Sequence, residues 1–231
     1  MCEAQPRFRL NVLNKYAKPL YRNPTKDELK KVAPDKDLVE KYREFLKTSD
    51  TGLTTLVADS GCSENTNVIS ADKKCINYSM PGGGSSFSFR TRNYRIPRLA
   101  DITFTRDSFQ ATGALLHGIF VNLGDVPVDR VGFATRGMKV LQDFKARTHY
   151  ANAKLTDEFL SRGFIRNGLA YRRALYIKTN TTFALRSIAY RGKLYRAIGG
   201  VTYNELDFDK RRDVIIAFRI VRIGEDGKVT I

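Results

Sequence analysis

Gly82-Gly83-Gly84-Ser85-Ser86 is the run in this chain best suited to holding an anion. Successive glycine amides can form a concave nest of N–H donors, and Arg90 and Arg92 follow closely enough to neutralise bound charge. The run lacks the Gly-Lys-Ser/Thr ending and the following helix of a phosphate-binding P-loop, and G-x-G-x-x-G spacing is absent. A structural turn is therefore the first expectation and an anion loop the second. His117, in Leu115-Leu116-His117-Gly118-Ile119, is the candidate general base, and Asp59 or Asp101 would be the carboxylate beside it. On so apolar a segment a lone His reads first as a core residue. Asp59-Ser60-Gly61-Cys62-Ser63-Glu64 gathers two carboxylates, hydroxyls and a thiol, a set able to bind a cation or share acid–base work. A turn ending in a disulfide accounts for the same residues. No G-x-S-x-G elbow occurs. Two His and three Cys without zinc spacing lead us to expect neither a metal site nor a cofactor.

Cys62 and Cys75 enclose the polar segment 63–74. A bond between them would stabilise the fold by roughly 3 kcal/mol in the chain-entropy description. It would form in an oxidising compartment and stay reduced in a cytosol, so the pair is an expected disulfide only if the protein is exported. Met1–Pro6 has no apolar run of the signal-peptide kind. No stretch of about 18 apolar residues is present, so no transmembrane helix is expected.

The strongest compositional signal lies further along. From Phe159 to Asn204, 46 residues pass without an Asp or Glu. The stretch carries nine cations: Arg162, Arg166, Arg172, Arg173, Lys178, Arg186, Arg191, Lys193 and Arg196. Overall net charge is +16, while residues 25–50 are balanced. A field of one sign reaches about 8 Å at physiological salt and favours polyanionic partners. Tyr171, Tyr176, Tyr190 and Tyr195 are interleaved, but on mixed strand parity, so a single base-stacking platform is not written in the pattern.

These residues need elements to position them. Pro6, Pro19 and Pro24 interrupt an N-terminal arm, with a short strand expected over Phe8–Leu13. Thr25 with Glu28 three residues on is a capping box opening a helix to about Val32. Leu38, Val39, Tyr42, Phe45 and Leu46 form the apolar stripe of a second helix after Pro34. Strands are expected over Leu53–Ala58, Ile76–Met80, Ser85–Thr91, Ile102–Phe104 and Ala114–Leu123. Further strands follow over Leu169–Lys178, Thr182–Arg191, Lys193–Ile198 and Asp213–Ile223. Val214–Ile223 is apolar enough to read as a central strand. Thr156–Ser161 reads as helix closed by Gly163, and Asn167-Gly168 as a hairpin turn.

Strands in series without regular intervening helices indicate an α+β fold: N-terminal amphipathic helices packed on a mainly antiparallel β-sheet body. We divide the chain into an N-terminal arm and helical segment, 1–50, and a β-rich body, 51–231, with a single domain that includes the helices as the alternative. The leading functional expectation is a non-enzymatic, exported or envelope-facing basic protein, periplasmic or secreted, that binds an anionic polymer or an acidic protein surface. A cytosolic nucleic-acid-binding module, using Arg162–Arg196 on phosphates, is the second. An enzyme on an anionic substrate, with Gly82–Gly84, Arg90 and Arg92 holding the anion, is the third.

Overall fold

The computed structural model describes residues 6–59, 61, 80–113, 116–147 and 149–231. Cys62, Cys75 and the expected strand over Ile76–Met80, but for Met80, lie outside them. The fold is α+β, with helices ahead of mostly antiparallel sheets. The N-terminal helices are α1 (Pro6–Val12), α2 (Lys18–Tyr21), α3 (Lys26–Lys31), α4 (Lys36–Lys41) and α5 (Arg43–Leu46), with a π-helical turn at Leu13–Ala17. The short strand expected over Phe8–Leu13 is thus helix instead. Val12 of α1 is buried, and the helical run continues through Leu13, Ala17 and Tyr21, which pack with Tyr190 and Leu206, a tertiary contact that local residue types do not reveal.

The body begins with β1 (Thr55–Leu56), β2 (Ser86–Ser88), β3 (Asn93–Tyr94), β4 (Ile102–Phe104) and β5 (Ser108–Gln110). It continues through β6 (Thr112–Gly113) and β7 (Leu116–Gly124) to α6 (Met138–Asp143) and α7 (Tyr150–Arg162). After these come β8 (Phe164–Arg166), β9 (Leu169–Arg172), β10 (Ala174–Tyr176), β11 (Thr181–Ala189), β12 (Tyr195–Ile198) and β13 (Val201–Asn204). The last strands are β14 (Val214–Ile220), β15 (Arg222–Ile223) and β16 (Val229–Thr230).

A six-stranded sheet runs β14-β11-β7-β9-β8 with β6 added on β7, and a five-stranded sheet runs β10-β5-β4-β2-β3. A small β1-β16-β15 sheet and the β12-β13 hairpin complete the body. The single strand expected over Leu169–Lys178 is divided at Arg173, so that β9 joins one large sheet and β10 the other. Phe120, Phe183, Leu185 and Phe218 point from the six-stranded sheet into a core shared with Phe87, Phe104 and Phe109 of the other. Strand alternation sends Ile119, Val121, Ala184 and Ile188 to the opposite face, which Met138, Leu141 and Leu160 of α6 and α7 cover. The molecule is thus layered: helices, six-stranded sheet, five-stranded sheet.

The start of α3 follows sequence closely, whereas α7 begins at Tyr150, six residues before the helix expected from Thr156. Thr25 Oγ1 accepts from the Glu28 amide at 3.2 Å, and the Glu28 carboxylate accepts from the Thr25 amide at 2.7 Å. Arg22 donates to both carboxylate oxygens at 2.6 and 2.7 Å. Those Arg22 bonds hold the Glu28 carboxyl down at about 2; burial opposes them, and the Thr25 amide and hydroxyl assist. A lowered folded-state pKa stabilises above the ordinary value of 4.5, and that contribution disappears as pH falls toward 2. Glu28→Gln is expected to cost about 1–2 kcal/mol at pH 7, read as a melting temperature lower by a few degrees. The gap between variant and wild type should close between pH 4.5 and 2; a gap independent of pH would refute this account.

Candidate cationic interface

Helix α7 organises the basic stretch. Ala153, Thr156 and Leu160 recur on one side of it and are buried, which turns the remaining faces outward. Gly163 ends the helix at φ +70°, its amide donating to the Phe159 and Leu160 carbonyls at 3.2 Å. A Cβ there would meet the Arg172 side chain and the Tyr171 carbonyl at 2.9 Å. The helix end is therefore pressed on β9, and Arg162 and Arg172 flank one point. The β8–β9 hairpin turns at Asn167 and Gly168, φ +51° and +73°, the pair of left-handed residues that a tight two-residue turn requires. Arg166 is exposed beside that turn, and Arg136 donates to the Asn167 carbonyl at 2.9 Å.

At the other end of α7, His149 bridges to Arg191. Arg191, Lys193 and Arg196 are exposed on the approach to and start of the β12–β13 hairpin, with Tyr195 59% exposed between them. The two cationic groups are separated by the 13 residues of α7, about 20 Å at the helical rise. Arg162, Arg166, Arg172, Lys178, Arg191 and Lys193 are exposed and pair with none of the described carboxylates. Lys178 stands apart, between β10 and β11.

The other three cations of the stretch have internal partners. Arg173 donates to Asp157 at 2.5 Å. Arg186 donates to the Leu141 and Phe144 carbonyls at 2.8 and 2.6 Å, pinning the end of α6, and to Asp213 at 3.3 Å. Arg196 lies 3.8 Å from Glu205, a carboxylate wholly buried under the hairpin that also accepts from Tyr21 and Arg98 at 2.9 Å.

The residues considered for catalysis are not gathered together. His117 Nε2 donates to the Ala153 carbonyl at 3.1 Å, and Nδ1 lies 3.3 Å from Asp157. Its ring meets Tyr190 edge-on at 4.2 Å, and its side chain is 11% exposed. Burial pulls the imidazole below its ordinary pKa; Asp157 and the Ala153 carbonyl oppose this, and Arg173 adds to it. Neither Asp59 nor Asp101 is its partner. Asp59 accepts from the Gly61 amide, whereas Asp101 accepts from Ser88, Ser187 and Arg90 in the core. Asp157, the carboxylate that does meet His117, is forty residues away in sequence, and no spacing signal connects them.

Gly82, Gly83 and Gly84 are buried in a turn. The Gly83 and Ser85 amides donate to the Met80 and Gly82 carbonyls at 2.9 and 3.0 Å. Arg90 has no exposed side-chain surface, and Arg92 is an exposed ion-pair partner of Asp50. Among the described residues no three His, Cys, Asp or Glu side chains converge as a metal site would require. No described helix is long and apolar enough to cross a membrane.

A concavity lies elsewhere, with none of those nine cations in its lining. A groove of about 980 Å³ runs between α3–α5 and β14, lined by Leu29, Val32, Tyr42 and Phe45 on one side and Val214–Arg219 on the other. Comparison of the chain with protein-family models, with curated proteins and with solved structures returned no match.

Proposed function

We propose that this is a non-enzymatic binding protein that holds an extended anionic polymer across the two ends of α7. The observation that carries the reading is the set of exposed cations, Arg162, Arg166 and Arg172 at one end and Arg191 and Lys193 at the other, left without carboxylate partners among the described residues. Their separation of about 20 Å suits a chain-like ligand better than a small one. An enzymatic reading has less support, because His117 is nearly enclosed and its neighbours are a carbonyl, a tyrosine ring and an ion-paired aspartate.

Single-stranded nucleic acid is the particular polymer that one further observation favours. Tyr195 and Tyr176 are 59% and 74% exposed beside Arg196 and near Lys178. Exposed rings next to cations are what base stacking uses.

Titrating binding against salt, with labelled single-stranded RNA, duplex DNA and heparin in parallel, tests both readings. The double variant Arg166→Ala/Arg172→Ala is expected to flatten the slope of log affinity against log salt by about 1.4 to 2. Arg191→Ala/Lys193→Ala should do the same from the other end of the helix. Unchanged slopes in both variants would reduce the stretch to a solvated face. Equal affinity for the three ligands, lost at physiological salt, would remove the nucleic-acid reading.

A further inference from the structure

Strand β14 reads in sequence as central, being almost wholly apolar, yet it is the outermost strand of its sheet, hydrogen-bonded to β11 on one side. Its other side faces the groove. Six consecutive residues, Val214 to Arg219, line that groove. Consecutive strand residues point to opposite faces, so the wall is the strand's edge and not one face of the sheet. Among the described residues, no backbone bond outside the β11 ladder reaches 214–219. Roughly three outward N–H and C=O pairs therefore lack a protein partner along an apolar concavity.

Natural edges of this kind are usually short, charged or covered. This one is seven residues long with Arg219 as its one charged residue, and the helices α3–α5 overhang it instead of pairing with it. An extended residue in a packed sheet fills a volume of about 160 Å³, from the strand rise and the spacings between strands and sheets. Six such residues match the groove's 980 Å³. An acyl chain would fit the apolar lining but leave the amides unmet, and a second folded copy would have to bring an edge strand beneath the helices that line the groove's other side. On the rim, Arg92 and Arg219 hold Asp50 and Asp125. Arg212, at the N-terminal end of the strand, is exposed and contacts a described backbone carbonyl, that of Arg90, at 3.5 Å; it pairs with none of the described carboxylates.

We propose that the groove takes a peptide segment of another protein as the next strand beside β14. The segment is about six extended residues, apolar at alternating positions, with an acidic side chain at the end next to Arg212. This site is separate from the cationic ends of α7 and does not depend on them.

The test is selection of a random heptapeptide library on the full chain. Enriched peptides are expected to alternate apolar residues and to carry Asp or Glu near one end. Methylating the backbone nitrogens along one edge of a selected peptide should abolish binding, because the side chains stay but the ladder cannot form. Arg212→Glu should weaken the acidic peptides by about fivefold or more. Binding should slow amide exchange at alternate positions within 214–219 without any mutation. Failure to enrich any peptide, or enrichment of peptides indifferent to methylation, overturns the proposal. So does displacement of bound peptide by dodecanoate with unchanged exchange at 214–219, or protection of those amides through self-association in the peptide-free protein.

Discussion

Arg90→Met is expected to lower folding stability by about 3–5 kcal/mol, a large part of the 5–15 kcal/mol that a domain ordinarily has. Arg90 is among the largest fully buried side chains of the described residues, with no exposed side-chain surface. Its Nε donates to Asp101 at 2.8 Å, one Nη to Asp209 and the Lys210 carbonyl at 2.7 and 2.9 Å, and the other to the Leu99 carbonyl at 3.1 Å. Burial pulls the guanidinium's pKa down, and the two carboxylates more than reverse that pull. A methionine would fill much of the space but leave two buried carboxylates facing the lost charge. Asp101 would keep Ser88 and Ser187, and Asp209 would keep Arg211. Adding Asp101→Asn should recover part of the loss, since the uncompensated charge is then removed. Urea denaturation of wild type, single and double variants measures both terms. A single variant within 1 kcal/mol of wild type would mean that the network is not what holds 86–101 to 209–210.

Gly82→Ala is the second change with a large expected cost, about 2–5 kcal/mol. Gly82 sits at φ +74°, and a Cβ there would lie 2.1 Å from the Arg95 carbonyl oxygen. That atom is backbone, so relief requires the 81–84 turn and the chain just after β3 to move apart. Gly124→Ala provides the comparison: its φ is +82°, and no described atom lies within 4 Å of the added carbon. That variant should lose only about 1 kcal/mol, the cost of a left-handed alanine. Equal losses in the two variants would show that conformation alone, and not close approach, selects glycine at 82. Close approach to the Arg95 carbonyl thus accounts for glycine at 82, while Gly83 and Gly84 share its left-handed backbone, at φ +61° and +82°.

Features set by neighbouring residues were legible in the sequence. The Thr25–Glu28 capping box, the Asn167-Gly168 turn and the glycine ending α7 were all expected, and the geometry of each is local. The α+β class was also legible from the order of apolar runs. What a residue meets across the fold was not. In sequence Arg90 falls on the polar side of an alternating run, though it lies in the turn after β2, and nothing local says that two aspartates 11 and 119 residues away close around it. Arg173 and Arg186 look like their basic neighbours until Asp157 and the end of α6 are brought to them. The edge position of β14 was hidden for a related reason. Its apolar residues meet the helices across a groove, and burial from above resembles burial between two strands.

The pairing of β7 with β11 also sets a waiting time. Their partners, from Thr182 opposite Gly124 to Ala189 opposite Leu116, are roughly 60 to 70 residues apart in the chain. At ribosomal rates of about 5–20 residues per second, β7 is made some 3–15 seconds before its partner exists. Until then Leu116, Ile119, Phe120 and Val121, all buried at the end, have only β6 and, once it is made, β9 beside them. One edge of β7 therefore stays open for seconds before the largest described sheet is complete.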